Sequence, residues 1–216
     1  MLLLFLTLFT AALAQCNGPL RVRKEWRELD ATEKSDFFNA VNALKTSNGY
    51  DYYAKIHWDH FDTAHSSPAF LPWHRKILVD FEADLTRVAG KQIHLPYWDW
   101  TLNSQNPERS DLLRPDAFGG GGTGPNLCVT DGRFANWVNE DGSCLRRGFR
   151  RNETIAAFYP GEVVNNAVQT SSNFDTIWRN LEGGIHSNVH VYIGGDFGTA
   201  ASPRDPLFFL RMCLYT

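Results

Sequence analysis

Five of the seven histidines fall into two groups with spacing that suits metal ligation. His57, His65 and His74 form the first, which ends in the run Phe70-Leu71-Pro72-Trp73-His74-Arg75. His186 and His190 form the second, one helical turn apart, so their rings share a helix face. The plain alternative for the pair is two ordinary helix histidines. The triple can converge only through tertiary structure. Every candidate ligand is a neutral imidazole, a donor that suits copper, zinc, iron and nickel. A hydrolytic zinc motif carries a glutamate base beside its first histidine, and His186-Ser187-Asn188-Val189-His190 has none. Two neighbouring all-histidine ions therefore fit dioxygen chemistry better than water activation. Copper cycles between Cu(I) and Cu(II) without an anionic ligand, so a copper pair can deliver two electrons. His60 falls off the stripe of His57 and reads as a surface or supporting residue. His94, ahead of Leu95-Pro96-Tyr97, reads as a core or packing histidine.

The elements that must hold these residues are helices. Val22 to Lys45 reads as one, with Asp30 and Glu33 as a capping pair ahead of Phe37, Phe38, Val41 and Leu44. Tyr50 to about Phe61 reads as a second, with Tyr53, Ile56 and His57 on one face, broken by Ser66-Ser67-Pro68. Pro72 suits the first position of a third helix running to Gly90. On it His74, Leu78, Phe81 and Leu85 form one stripe, which turns His74 inward with the apolar residues. Two further helical pieces cover Asn173 to Leu181 and Ile185 to Tyr192, and Gly194-Gly195 stops the second. Between Thr101 and about Asn152 the chain is irregular and holds Gly119 to Gly122. A loop of that length in a compact domain is functional or stapled. No βαβ pattern and no basic stripe occurs, so the class is mainly α.

The 216 residues make one domain by length. A net charge of −3 gives no field to draw nucleic acid or anionic lipid. Fifteen Phe, seven Tyr and seven Trp supply a core and the walls of a pocket for planar ligands. Met1 to Ala14 is apolar, too short to span a bilayer, and ends in the small-x-small pattern Ala12-Leu13-Ala14. It reads as a secretory signal, with the mature chain starting at Gln15. No other segment is long and apolar enough to cross a membrane. Secretion permits disulfides. Cys128 and Cys144 enclose a turn-rich stretch and are the best pair, with Cys16 and Cys213 left to place. Asn152-Glu153-Thr154 is a glycosylation sequon.

Taken together the motifs resemble the secreted, fungal-type tyrosinases of the type-3 dicopper family. The match runs through Arg23-Lys-Glu-Trp-Arg27, Ser67-Pro-Ala-Phe-Leu-Pro-Trp-His-Arg75, Leu95-Pro-Tyr-Trp-Asp-Trp100 and Cys128-Val-Thr-Asp-Gly132. It continues through Leu181-Glu-Gly183, His186-x3-His190, Ile193-Gly-Gly195 and Asp205-Pro-Leu-Phe-Phe-Leu210, over residues 20–210 in order. The resemblance implies a helical bundle around a dicopper centre. His57, His65 and His74 would bind the first copper, and His186 and His190 the second. Such a centre binds O2, hydroxylates monophenols at the ortho position and oxidises o-diphenols to o-quinones. Its partners are a small phenol and O2, with neither nucleic acid nor membrane. Glu182 resembles the family carboxylate that orients a water able to take the phenol proton; otherwise it is a surface carboxylate at a helix end. Asn188 is placed to steer a hydrogen bond near His186, with Ser187 where the family usually carries asparagine. Thr63 stands where some relatives carry a thioether-linked cysteine. Phe208 and Phe209 are expected beneath the second site.

One departure matters. The family continues Asp-Pro-x-Phe-x-x-His-His, and its last histidine is the sixth ligand. Here Arg211 and Met212 fill those places. A thioether binds Cu(I) but is a poor Cu(II) ligand, so the second site lacks its third histidine. Arg211-Met212-Cys213 can be encoded with a splice-donor-like GTATGT, so 211–216 is expected to be an aberrant tail on an incomplete domain. A hemocyanin-like dioxygen-binding protein and a non-catalytic fragment are the alternatives to an impaired oxidase.

Overall fold

The computed structural model describes residues 21–149 and 154–215. The expected signal segment, Cys16 and Asn152 lie outside the described residues. Among those described there are eight α-helices, several 3₁₀ turns and no strand, only isolated bridges such as Glu25 with Tyr97.

The first helix, α1, spans Ala31–Thr46 and begins later than its apolar pattern suggests. Asp30 accepts from the Glu33 N–H at 2.8 Å, and Glu33 accepts from the Asp30 N–H at 2.9 Å. This reciprocal cap starts the helix, and the preceding Trp26–Glu28 makes a separate 3₁₀ turn. Asn48, at φ 59°, closes α1. The second expected helix is broken in two: α2, Asp51–Asp59, and the single turn α3, Phe61–Ala64, joined at His60 with φ −110°. Next, α4 runs Phe70–Ala89 and ends on left-handed Gly90. It starts two residues before Pro72. A proline in the first turn loses no intrahelical bond, because those N–H groups have no helical acceptor. His74, Leu78, Phe81 and Leu85 are all fully buried, as their stripe requires.

The segment after Trp100 is irregular but not bare. Leu112, Leu113, Phe118, Val129, Phe134, Trp137 and Leu145 bury there and join the main core. The Cys128–Cys144 disulfide is formed. Gly119 (φ 81°) comes so close to Asp131 that an added Cβ would sit 2.3 Å from its carbonyl oxygen. A larger residue cannot stand there.

Helix α5 covers Gly161–Gln169 and packs on α6, Phe174–Asn180, which Asn173 caps. The expected break between the last two helical pieces is absent. Leu181–His186 continues α6 as a π-helical segment and passes into α7, Ser187–Ile193. The paired glycines at 183–184 loosen the winding without stopping it. Gly194, at φ 63°, does stop it. Helix α8, Leu207–Met212, has all six residues buried and packs against α4, where Phe209 stacks on Phe81 at 3.6 Å.

Candidate metal centre

His57 lies on the buried face of α2 with Tyr53 and Ala54. His65 follows α3 directly, and His74 sits in the second turn of α4. Each ring is oriented the same way. Nδ1 of His57 donates to the Ala200 carbonyl at 2.6 Å, Nδ1 of His65 to Phe61 at 3.0 Å, and Nδ1 of His74 to Phe70 at 2.8 Å. A carbonyl can only accept, so Nδ1 carries the hydrogen and Nε2 keeps its lone pair. One ligand atom from each ring lies within 4.8 Å of the other two. Nε2 of His57 and of His74 face each other at 3.4 Å. Two lone pairs at that range repel unless a cation sits between them. Imidazole nitrogens on one first-row metal, at bonds of about 2.0–2.1 Å, stand about that far apart. Burial pushes His57 down to about 4, His74 well below its ordinary value and His65 downward. All three are neutral near pH 7, as ligands must be. Among the described residues, this is the one such group of His, Cys, Asp or Glu.

The second pair faces the first. The His186 ring lies 6.2 Å from His65 and 6.3 Å from His74, and 4.7 Å from His190. His190 Nδ1 donates to the Phe197 carbonyl at 2.6 Å, which leaves Nε2 an acceptor. Both ring nitrogens of His186 are buried without a partner. Burial lowers both rings well below the ordinary histidine value. Phe208 lies beneath both groups, 5.2 Å from His57 and 6.2 Å from His190. Phe209, expected beside it, points the other way into the Tyr50, Tyr53 and Phe81 core. Successive residues on a helix cannot share a face.

Arg211 marks a departure from the family pattern in the sequence, but its contact with the second histidine pair is visible only in the structure. Its side chain is fully buried. Nη1 donates to His190 Nε2 at 2.7 Å and lies 3.1 Å from Met212 Sδ, while Nη2 donates to the His186 carbonyl. The guanidinium stands 5.0 Å over the Tyr215 ring. Burial lowers it only to about 10, so it stays charged at neutral pH. An arginine inside the apolar run of α8 was the available signal, because a buried cation needs a reason.

Glu182 lies in the π segment, buried, and accepts the Ser66 N–H at 2.7 Å. Burial raises its carboxyl above the usual range. It lines a cavity of about 570 Å³ together with His57, His65, His186, His190 and Phe61. Asn188 Oδ1 is buried without a partner, so it fixes neither His186 nitrogen. His60 is exposed, as expected. His94 is exposed too, not packed in the core, because only its neighbours Ile93, Leu95 and Pro96 turn inward.

A family model described as the common central domain of tyrosinase matches residues 47–213. The chain belongs to the tyrosinase family. Tyrosinase ustQ of Aspergillus flavus is 33% identical over 94% of this chain, which spans 63% of that protein's length. The tyrosinase of Streptomyces glaucescens is 35% identical over 89% of the chain and 78% of its own length. A polyphenol oxidase from Thermothelomyces thermophila superposes with a TM-score of 0.76 at 22% identity, covering 90% of this chain and 68% of that one. An octopus hemocyanin functional unit gives 0.66 at 20% identity, over 91% and 51%. These last two likenesses establish the helical fold. Within this tyrosinase-family chain the donor set of His57, His65 and His74 fits a copper ion. The second set does not fit one as it stands, since an arginine donor holds the His190 lone pair.

Proposed function

We propose that this chain carries the phenol-oxidase centre of its family, with one complete copper site. His57, His65 and His74 would hold the first copper, and His186 and His190 belong to the second. In a complete centre a bound copper pair would supply dioxygen activation, used to hydroxylate monophenols and to oxidise o-diphenols to o-quinones. The observation that carries this reading is the convergence of three Nε2 lone pairs, each fixed by a carbonyl on Nδ1. The cavity beside them takes a flat ring, with Phe61 and Phe197 on its walls. Glu182 is suited to accept the phenol proton at a carboxylate oxygen, since burial raises its proton affinity. Met212, where the family places its last histidine, leaves the second site short of an imidazole, and little oxidase activity follows. The apolar stretch Met1–Ala14 and the Cys128–Cys144 disulfide support secretion.

Copper analysis after dialysis, paired with oxygen uptake on catechol and on tyrosine, tests the reading. One copper per chain and weak turnover are expected. Two coppers with normal diphenol oxidation would remove the impairment, and no copper at all would remove the reading.

A further inference from the structure

We propose that the Arg211 guanidinium is the resident cation of the second half-site, and that this side chain, beyond the absent histidine, keeps a second metal out. The inference rests on the copper reading above. Three observations carry it. Nη1 donates to Nε2 of His190, whose Nδ1 hydrogen is already committed to Phe197. The lone pair a metal needs is therefore the one the guanidinium holds, and the two occupants exclude each other. The second donor reaches the His186 backbone carbonyl, so the fork bridges both histidines of the half-site. Finally, the partners of this buried cation are two histidines, a thioether and a phenol ring. None is anionic, so the direct partners of the guanidinium do not offset the charge of an added metal ion.

The geometry separates two causes that the sequence alone merges. If the lost ligand were the sole defect, Met212→His would restore the second metal. If the guanidinium excludes it, that variant stays at one copper, and Arg211→His with Met212→His together is needed to reach two. The experiment loads wild type, Met212→His and the double variant with copper(II) and counts metal by atomic absorption. Folding is checked by near-ultraviolet circular dichroism. One, one and two equivalents are expected. Two equivalents in Met212→His, or one in a folded double variant, would overturn the proposal. Nitrogen NMR on the metal-free wild type gives a measure that needs no variant. A through-hydrogen-bond coupling between Arg211 Nη1 and His190 Nε2 is expected, and a free imidazole Nε2 would overturn the assignment. Wild type that takes up no copper but shows this coupling would sink the copper reading while leaving the Arg211 contact in place.

Discussion

Four of the five site histidines spend Nδ1 on a backbone carbonyl, from Ala200, Phe61, Phe70 and Phe197. Such partners cannot be mutated away, so ring orientation belongs to the fold. Ligand identity can be tested directly. His57→Ala, His65→Ala or His74→Ala should each abolish stoichiometric copper in a competition titration. The loss should exceed the roughly 10–100-fold that follows removal of an outer hydrogen-bond partner. Retention of tight copper by any one variant would remove that residue from the set. Glu182 asks a different question. Glu182→Gln keeps an oxygen for the Ser66 N–H but cannot hold a proton as a carboxylate can. In the Arg211→His/Met212→His background, monophenol hydroxylation should fall by about 10²–10⁴-fold, the usual worth of a positioned acid–base group. Copper content and diphenol oxidation should change little. Equal losses on both substrates would mean that Glu182 only braces the His65 loop.

Helix α8 is where sequence and structure part most usefully. The apolar stripe of α4 makes the inward turn of His74 readable and a capping pair announces α1, but the grouping of His57, His65 and His74 is readable only through the family resemblance. The break at His60, the π-helical Leu181–His186 and the path of Arg211 are not readable. Each is decided by contacts from elsewhere in the chain, and the local traces, the Gly183-Gly184 pair and an arginine in an apolar run, do not specify the outcome. The irregular stretch reads as a loop, but its buried Phe118, Phe134 and Trp137 show that it supplies core as well. What joins that stretch to α8 is the Arg147–Asp205 pair. Both side chains are fully buried, with contacts of 2.6 and 2.9 Å, and Arg147 also donates to the carbonyls of Phe118, Gly119 and Gly120. Asp205 further accepts the Leu207 N–H at the start of α8. Asp205→Ala leaves a buried guanidinium without its anion and should destabilise the fold by about 3–5 kcal/mol, read from urea unfolding. A loss below about 1 kcal/mol would show that water reaches Arg147 and that α8 is held by apolar packing alone.

Bringing five imidazoles into one interior makes the whole molecule sensitive to acid. His57, His65, His74, His186 and His190 all lie below their ordinary values, with burial the largest cause in each. In the unfolded chain they titrate near pH 6.5. Between that value and about 4, where His57 titrates when folded, the unfolded state binds more protons than the folded one. Stability is therefore complete above about pH 6.5 and falls as the pH drops through this window. For His57, a shift from 6.5 to about 4 corresponds to about 3 kcal/mol when fully expressed. Unfolded carboxylates take up protons mainly below about pH 4.5, so losses between about 6.5 and 5 belong to the histidines. The metal-free protein should melt at steadily lower temperature across that interval. Copper should raise the melting temperature most at neutral pH and least at pH 5, because protons and metal compete for the same nitrogens. Calorimetry in the same buffers with and without copper decides it. A metal-free melting temperature that stays flat from pH 7 to 5 would mean that these rings meet water more freely than their packing implies.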